Sequence, residues 1–242
     1  MKDKFSSAVA DTKLLFRSIP PVVTALFTLS VVMMNILANK TVFQNDIIAI
    51  DGGIFVSWLS FLCMDIVTKA FGPRASTKLS VFAMLTNLFA CLVFYLVSII
   101  PTKDDFSAFN TVIGGTWFIL LSSTVAFISS AVINNFLNWG IGLLFFKKQN
   151  EKLEFVTRSY ISTFIAQFFD NLIFALLAFT VFAPIYWNGF HWTLIQCVTC
   201  SLLGAGLELL MEIVFSPIGY CVLKGWEKDG VGNEYNKRRA KS

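Results

Sequence analysis

The sequence predicts an all-α polytopic membrane protein, with six transmembrane helices in one bundle and both termini cytoplasmic. Three observations predict it: the composition, six apolar runs of spanning length, and basic residues gathered into alternate connections. The 242 residues are 56% apolar and only 14% charged, with a mean hydropathy of +0.70. A soluble domain carries about 25% charged residues to keep its surface solvated. Here 19 basic and 15 acidic side chains, bunched into short stretches, cannot cover a globule of this size. That excludes a soluble enzyme, a disordered chain and a secreted disulfide scaffold. The five cysteines agree. Cys63, Cys91, Cys197, Cys200 and Cys221 all sit inside apolar runs, where free cysteine packs as a small hydrophobe.

A helix needs about 20 largely apolar residues to cross the ~30 Å hydrocarbon layer. The runs at 20–38, 53–71, 78–100, 116–146, 159–183 and 192–223 meet that requirement. The fourth and sixth exceed the bilayer thickness at about 1.5 Å per residue, so they must tilt, break or project. Helices are expected because lipid cannot satisfy an open backbone. The first run is long enough to span and lacks an A-x-A-like end, so no cleaved signal peptide is expected. Residues 39–52 and 101–115 read as the larger outer connections. Residues 1–225 thus form one transmembrane domain, and 226–242 a charged, cytoplasmic and mobile tail.

Orientation follows from the basic residues. Lys2, Lys4, Lys13 and Arg17 precede the first span, and Arg74 and Lys78 follow the second. Lys147, Lys148, Lys152 and Arg158 follow the fourth, and the tail holds Lys224, Lys228, Lys237, Arg238, Arg239 and Lys241. With six spans all of these fall on one side, leaving only Lys40 and Lys103 on the other. The net charge of +4 is accounted for by this asymmetry, and no nucleic-acid partner is inferred from it.

Polar residues within the spans mark where function should be sought, since a mid-helix carboxylate costs about 2.5–3.5 kcal/mol on insertion scales. Asp65, Asp170, Glu208 and Glu212 carry that cost. Asn135 with Asn138, and Gln167 with Asp170, share an i, i+3 spacing that puts each pair on one helix face. Both pairs count to the cytoplasmic half of adjacent antiparallel spans and are expected to face one cavity. Asn35 and Asn39 add amides nearer the outside. Such groups in an apolar pocket suit a planar small molecule rich in hydrogen bonds. No catalytic residue, metal site or cofactor is expected: H-E-x-x-H, G-x-S-x-G and Walker A sequences are all lacking. His191, between Trp187 and Trp192, reads as an interfacial residue.

The motifs resemble those of the queuosine precursor transporter family, six-span bacterial membrane proteins. Asn35-Ile36-Leu37-Ala38-Asn39-Lys40 is similar to the N-x-x-A-N-K end of that family's first span. Asp65-Ile66-Val67-Thr68-Lys69-Ala70-Phe71-Gly72 resembles its second-span signature. Arg158-Ser159-Tyr160-Ile161-Ser162-Thr163, followed by Gln167, Asp170, Phe174, Ala178 and Phe179, resembles its fifth-span signature. The likeness runs from about residue 30 to 225. Two positions depart from the family pattern. Asn135 and Asn138 stand where Gln-x-x-Asp is usual, and Glu208 aligns with a position often held by lysine.

The resemblance implies import of a 7-deazaguanine base or queuine through the bacterial inner membrane. Asp170 would be the main anchor, supported by Asp65, Glu208, Gln167, Asn135, Asn138, Asn35 and Asn39. The partners are then a purine-like small molecule and the lipid bilayer, with a homo-oligomer or a coupling subunit left open. The alternative in a related class is the substrate-binding subunit of an energy-coupling-factor vitamin importer. Such subunits dock through A-x-x-x-A patterns on the first span, and none lies between Ala25 and Ala38. A non-transporting assembly protein ranks lower, since it would leave four intramembrane acids without purpose.

Overall fold

In a computed structural model, the backbone is described for residues 2–145 and 164–240. Side chains are described over the same ranges except 2–8, 131, 132, 134–145, 212, 216, 239 and 240. The described chain is almost wholly helical. Helix α1 covers Lys2–Ser18, α2 Pro21–Leu37, α3 Ile54–Phe71, α4 Pro73–Ser98 and α5 Ser107–Phe145. Helix α6 covers Phe164–Tyr186, α7 Leu194–Lys228 and α8 Asn233–Ala240. The segments Ile54–Phe71, Pro73–Ser98, Ser107–Ser130, Phe164–Tyr186 and Leu194–Phe215 are each long and apolar enough to cross a membrane. A sixth crossing is made if Val9–Ser18 and Pro21–Leu37, bent by 100° at their junction, count as one broken span. The bend has a sequence cause. Pro20 and Pro21 both lack an N–H, so the α1 ladder ends at Ile19, whose amide donates to Leu15 O at 2.9 Å.

Exposed side chains bear out the membrane class. Leu85, Leu88, Phe89 and Leu92 of α4 are all more than half exposed. In water a continuous apolar face of this kind would drive association; in lipid it is the expected outer surface.

The remaining elements differ from a bare reading of apolar runs. Residues 39–52 hold an antiparallel hairpin, β1 (Thr41–Gln44) with β2 (Ala49–Asp51). Its tip is an Asn turn in which Asn45 Oδ1 accepts from the amides of Ile47 and Ile48 at 2.9 and 2.6 Å. Helix α5 starts well before residue 116, because Asp105 Oδ1 accepts from the Ser107 amide at 2.9 Å and caps the new helix. With 39 residues it is roughly 58 Å long at 1.5 Å per residue.

The chain folds as two compact units. The first comprises Met1–Met34, Phe55–Asn87 and Met211–Ser242; the second comprises Asn35–Ile54 and Leu88–Leu210.

In the first unit, Cys63, Val67 and Phe71 recur every four residues on α3, and Ala75, Leu79 and Ala83 do so on α4. These stripes pack with Leu15 and Ile19 into one buried cluster that includes Tyr235. The expectation of a mobile tail is therefore corrected. Tyr235 is buried beside Phe71, and Asn236 Nδ2 donates to Ala70 O at 3.0 Å, closing the end of α3. The turn into α8 needs glycine at 232. Its φ is +80°, and a β-carbon there would lie 2.6 Å from Phe71 Cε1.

In the second unit, Phe118 and Ile119 of α5 pack with Ala175, Ala178, Phe179 and Ala183 of α6, and with Trp192 and Cys197. Within α6, residues Leu176–Phe182 form a π-helical turn, and Ala183 N–H donates five residues back to Ala178 O. The carbonyl of Phe179 thereby loses its α-helical donor. Pro184 has no N–H to replace it. The amide of Trp192 does so instead, at 3.1 Å, and the Trp192 ring stacks on Phe179 with centroids 4.0 Å apart.

Candidate functional site

Three helices of the second unit, α5, α6 and α7, supply its polar interior. On α6 the residues Gln167, Asp170 and Asn171 are three and four apart and so share one face. Asp170 Oδ1 accepts a hydrogen bond from Ser130 Oγ of α5 at 2.8 Å. This places the carboxylate inside the spanning segment, and its partner among the described residues is a neutral hydroxyl. Such a pairing leaves acceptor capacity on the second oxygen.

Gln167 is 8% exposed, and its Oε1 has no hydrogen-bond partner among the described residues. The same holds for Nδ2 of Asn171. A buried polar atom without a partner costs about 1–3 kcal/mol, so these two atoms are an unmet demand on the α6 face among the described residues. On α7, Gly204 faces Asn171. A β-carbon at 204 would lie 2.7 Å from Asn171 Nδ2, so only the bare backbone leaves the amide room. Glu208 follows one turn later on the same α7 face and is 6% exposed.

The structure thus brings Gln167 and Asp170 onto one face and buries Glu208 in the same unit. It adds Ser130, Asn171 and Gly204, which were not among the expected site residues. Asn171 had a usable signal, its i+4 spacing from Gln167. Ser130 and Gly204 had none, because serine and glycine are ordinary residues of membrane helices.

Asn35 is buried at the end of α2. Asn39 Nδ2 donates to Asn35 O, Ile36 O and Thr116 Oγ1 at 3.2, 3.0 and 3.1 Å. Its nitrogen therefore closes the α2 terminus and ties it to α5, while Oδ1 makes no bond among the described residues. Asn135 and Asn138 lie on the α5 backbone, with side chains outside the described residues, as is the Glu212 side chain. The segment Arg158 to Thr163 lies outside them as well.

Asp65 belongs to the first unit. It pairs with Lys69 one turn later at 3.8 Å, and both side chains are substantially exposed. Beside them, Trp58 stacks on Phe215 with centroids 4.3 Å apart, and a shallow cleft runs past Leu62 and Gly219.

Outside the spans, Asp51 in β2 accepts from the Gly53 amide at 2.7 Å. Burial nonetheless pushes its carboxyl up to about 6. His191 is exposed, with Nδ1 3.1 Å from Gly189 O. No group of three or more His, Cys, Asp or Glu among the described residues could hold a metal ion.

Comparison with known proteins adds one match. The model of a family described as "Putative vitamin uptake transporter" covers residues 51–222, from the end of the hairpin through most of α7. No curated protein and no solved structure matches the chain. The matched range holds all three helices of the polar face and is consistent with the queuosine precursor transporter resemblance. With more than two thirds of its length inside that match, the chain belongs to the vitamin uptake transporter family.

Proposed function

We propose that this chain imports a queuosine precursor, a 7-deazaguanine base or queuine, across the bacterial cytoplasmic membrane, with both termini on the cytoplasmic side. The observation that carries the reading is Asp170. It is a carboxylate within a spanning helix, held by Ser130 Oγ, with the open acceptor of Gln167 on the same face. A carboxylate there can accept paired N–H groups from a guanine-like edge, or balance the amine of an aminomethyl or queuine substrate. Phe168, Phe169 and Phe174 flank it in the sequence, and apolar surroundings of that kind strengthen such bonds.

In this reading Asp170 is the main anchor, and Gln167 and Glu208 assist it. Asn35, Asn39, Asn135 and Asn138 of the same unit are further polar contacts along the substrate's route. The protein acts as a carrier, with no bond made or broken. The family's described activity, vitamin uptake, is transport of the same kind. The test is uptake of a labelled deazaguanine by liposomes holding the purified chain alone. Saturable uptake, competed by unlabelled base, is expected. Uptake that requires added coupling subunits would favour the energy-coupling-factor reading instead.

A further inference from the structure

We propose that Asn171 selects the substrate by donating from Nδ2 to an oxo group of the bound base, in the room that Gly204 leaves for it. The inference rests on the deazaguanine reading above and adds a specificity residue to it. Asn171 Nδ2 is buried inside a spanning helix and bonds to nothing among the described residues. Lipid offers no water to replace the missing partner. A leucine of similar size would fill the same volume without the penalty of an unmade hydrogen bond.

Gly204 sharpens the point. The amide lies against bare α7 backbone at a distance where any β-carbon would push it away. The donor is therefore held in place by the absence of a side chain opposite it.

The α6 face offers a carboxylate at 170, an open acceptor at 167 and an open donor at 171. A lactam edge is the complement of that set. Its N–H groups answer the carboxylate or the glutamine oxygen, and its oxo group answers the asparagine N–H. A base carrying an amine in place of the oxo group would set donor against donor at Nδ2, and its ring nitrogen, now an acceptor, would also lose the N–H offered to the carboxylate or the glutamine oxygen. Sites built on such buried hydrogen bonds reject the mismatched analogue strongly.

The experiment measures binding of 7-deazaguanine and of 2,6-diamino-7-deazapurine to the purified full chain in detergent. Wild type is expected to prefer the oxo base by roughly tenfold or more, the value of one buried hydrogen bond. Asn171→Leu should lose that factor for the oxo base and nothing for the diamino base, so the preference narrows about tenfold. Its thermal stability should hold or rise. Asn171→Asp should narrow the preference further, because a carboxylate accepts from the exocyclic amine and repels the oxo group. Gly204→Ala should weaken the oxo base while removing no polar group.

A wild-type preference undiminished in Asn171→Leu overturns the inference. If the leucine variant does not fold, an undiminished preference in Asn171→Asp overturns it equally. Binding of neither base by wild type overturns the deazaguanine reading, and this inference with it. Tight binding of the oxo base with an unchanged preference in the variants overturns the Asn171 assignment alone.

Discussion

At the scale of single residues, the chemistry turns on what a carboxylate does when solvent is scarce. Among the described residues Asp170 has one neutral donor, Ser130, at 2.8 Å. Asp170→Asn keeps the shape and removes the charge, and an amide is cheaper to bury in a membrane than a carboxylate. Folding should stay intact. Affinity for a deazaguanine should fall by ~1.5–3 kcal/mol, or roughly ten- to a hundredfold, as one charge-assisted hydrogen bond is lost. Isothermal binding to wild type and variant checks this. Unchanged affinity in a folded variant would reassign the residue to joining α5 and α6.

Asp51 makes a separate case outside the spans. Its carboxyl is pushed up to about 6 by burial. The folded state therefore holds its proton more tightly than the unfolded chain does. The stability cost from this group is absent below the ordinary carboxylate range, grows as pH rises toward 6, and is complete above it. Asp51→Asn should raise the unfolding temperature more at pH 7.5 than at pH 4.5, as followed by thermal unfolding in detergent. Equal effects at the two pH values would remove burial as the cause.

At the scale of elements, the tail and the bend in α6 show how non-local contacts overrule composition. Residues 233–240 are among the most polar of the chain, and by composition alone they read as mobile. One aromatic residue, Tyr235, reaches the Phe71 cluster, and Asn236 closes the last turn of α3. Removing the Tyr235 ring should release α8 and cost roughly 3 kcal/mol, by analogy with large-to-small changes at buried aromatic positions. Tyr235→Ala should speed amide exchange across 233–240 and at Ala70 and Phe71, with little change in α5 or α6. Exchange rates matching wild type would show that the tail is held by something other than Tyr235.

In α6 the logic is local but was hidden. Pro184 withholds an N–H from Phe179 O, and Trp192 supplies one. The carbonyl that the widened turn strands thereby keeps a partner.

At the scale of the whole molecule, the remaining expectation is topological. The basic residues of the amino terminus, the α3–α4 turn and the tail lie on one side if the chain crosses six times. A cysteine-free version carrying Lys237→Cys should react with an impermeant maleimide only after the membrane is opened. Labelling of intact cells would place the tail outside and overturn the cytoplasmic assignment. The lipid-facing residues of α4 imply a related outcome. Leu88→Lys, on the exposed face, should reduce membrane insertion, since a mid-helix lysine costs about 2.5–3.5 kcal/mol.

The membrane class and most of the helices were legible in the sequence, and the reason is physical. A spanning helix satisfies its own backbone hydrogen bonds, so its existence depends on about 20 consecutive residues and on nothing distant. The apolar runs near 54–71, 73–98 and 194–215 needed no partner to be recognised. The cost of burying Gln167, Asp170 and Glu208 is likewise a property of each residue, and so these candidates could be named in advance.

Which groups meet is a different kind of fact. It depends on how each helix is turned about its axis, and a rotation of one residue, about 100°, sends a side chain to another face. Hence the folded chain alone revealed that Ser130 meets Asp170, that Gly204 leaves room for Asn171, and that Tyr235 docks beside Phe71. Each of these contacts joins residues at least 33 positions apart in sequence, and no local pattern encodes their pairing.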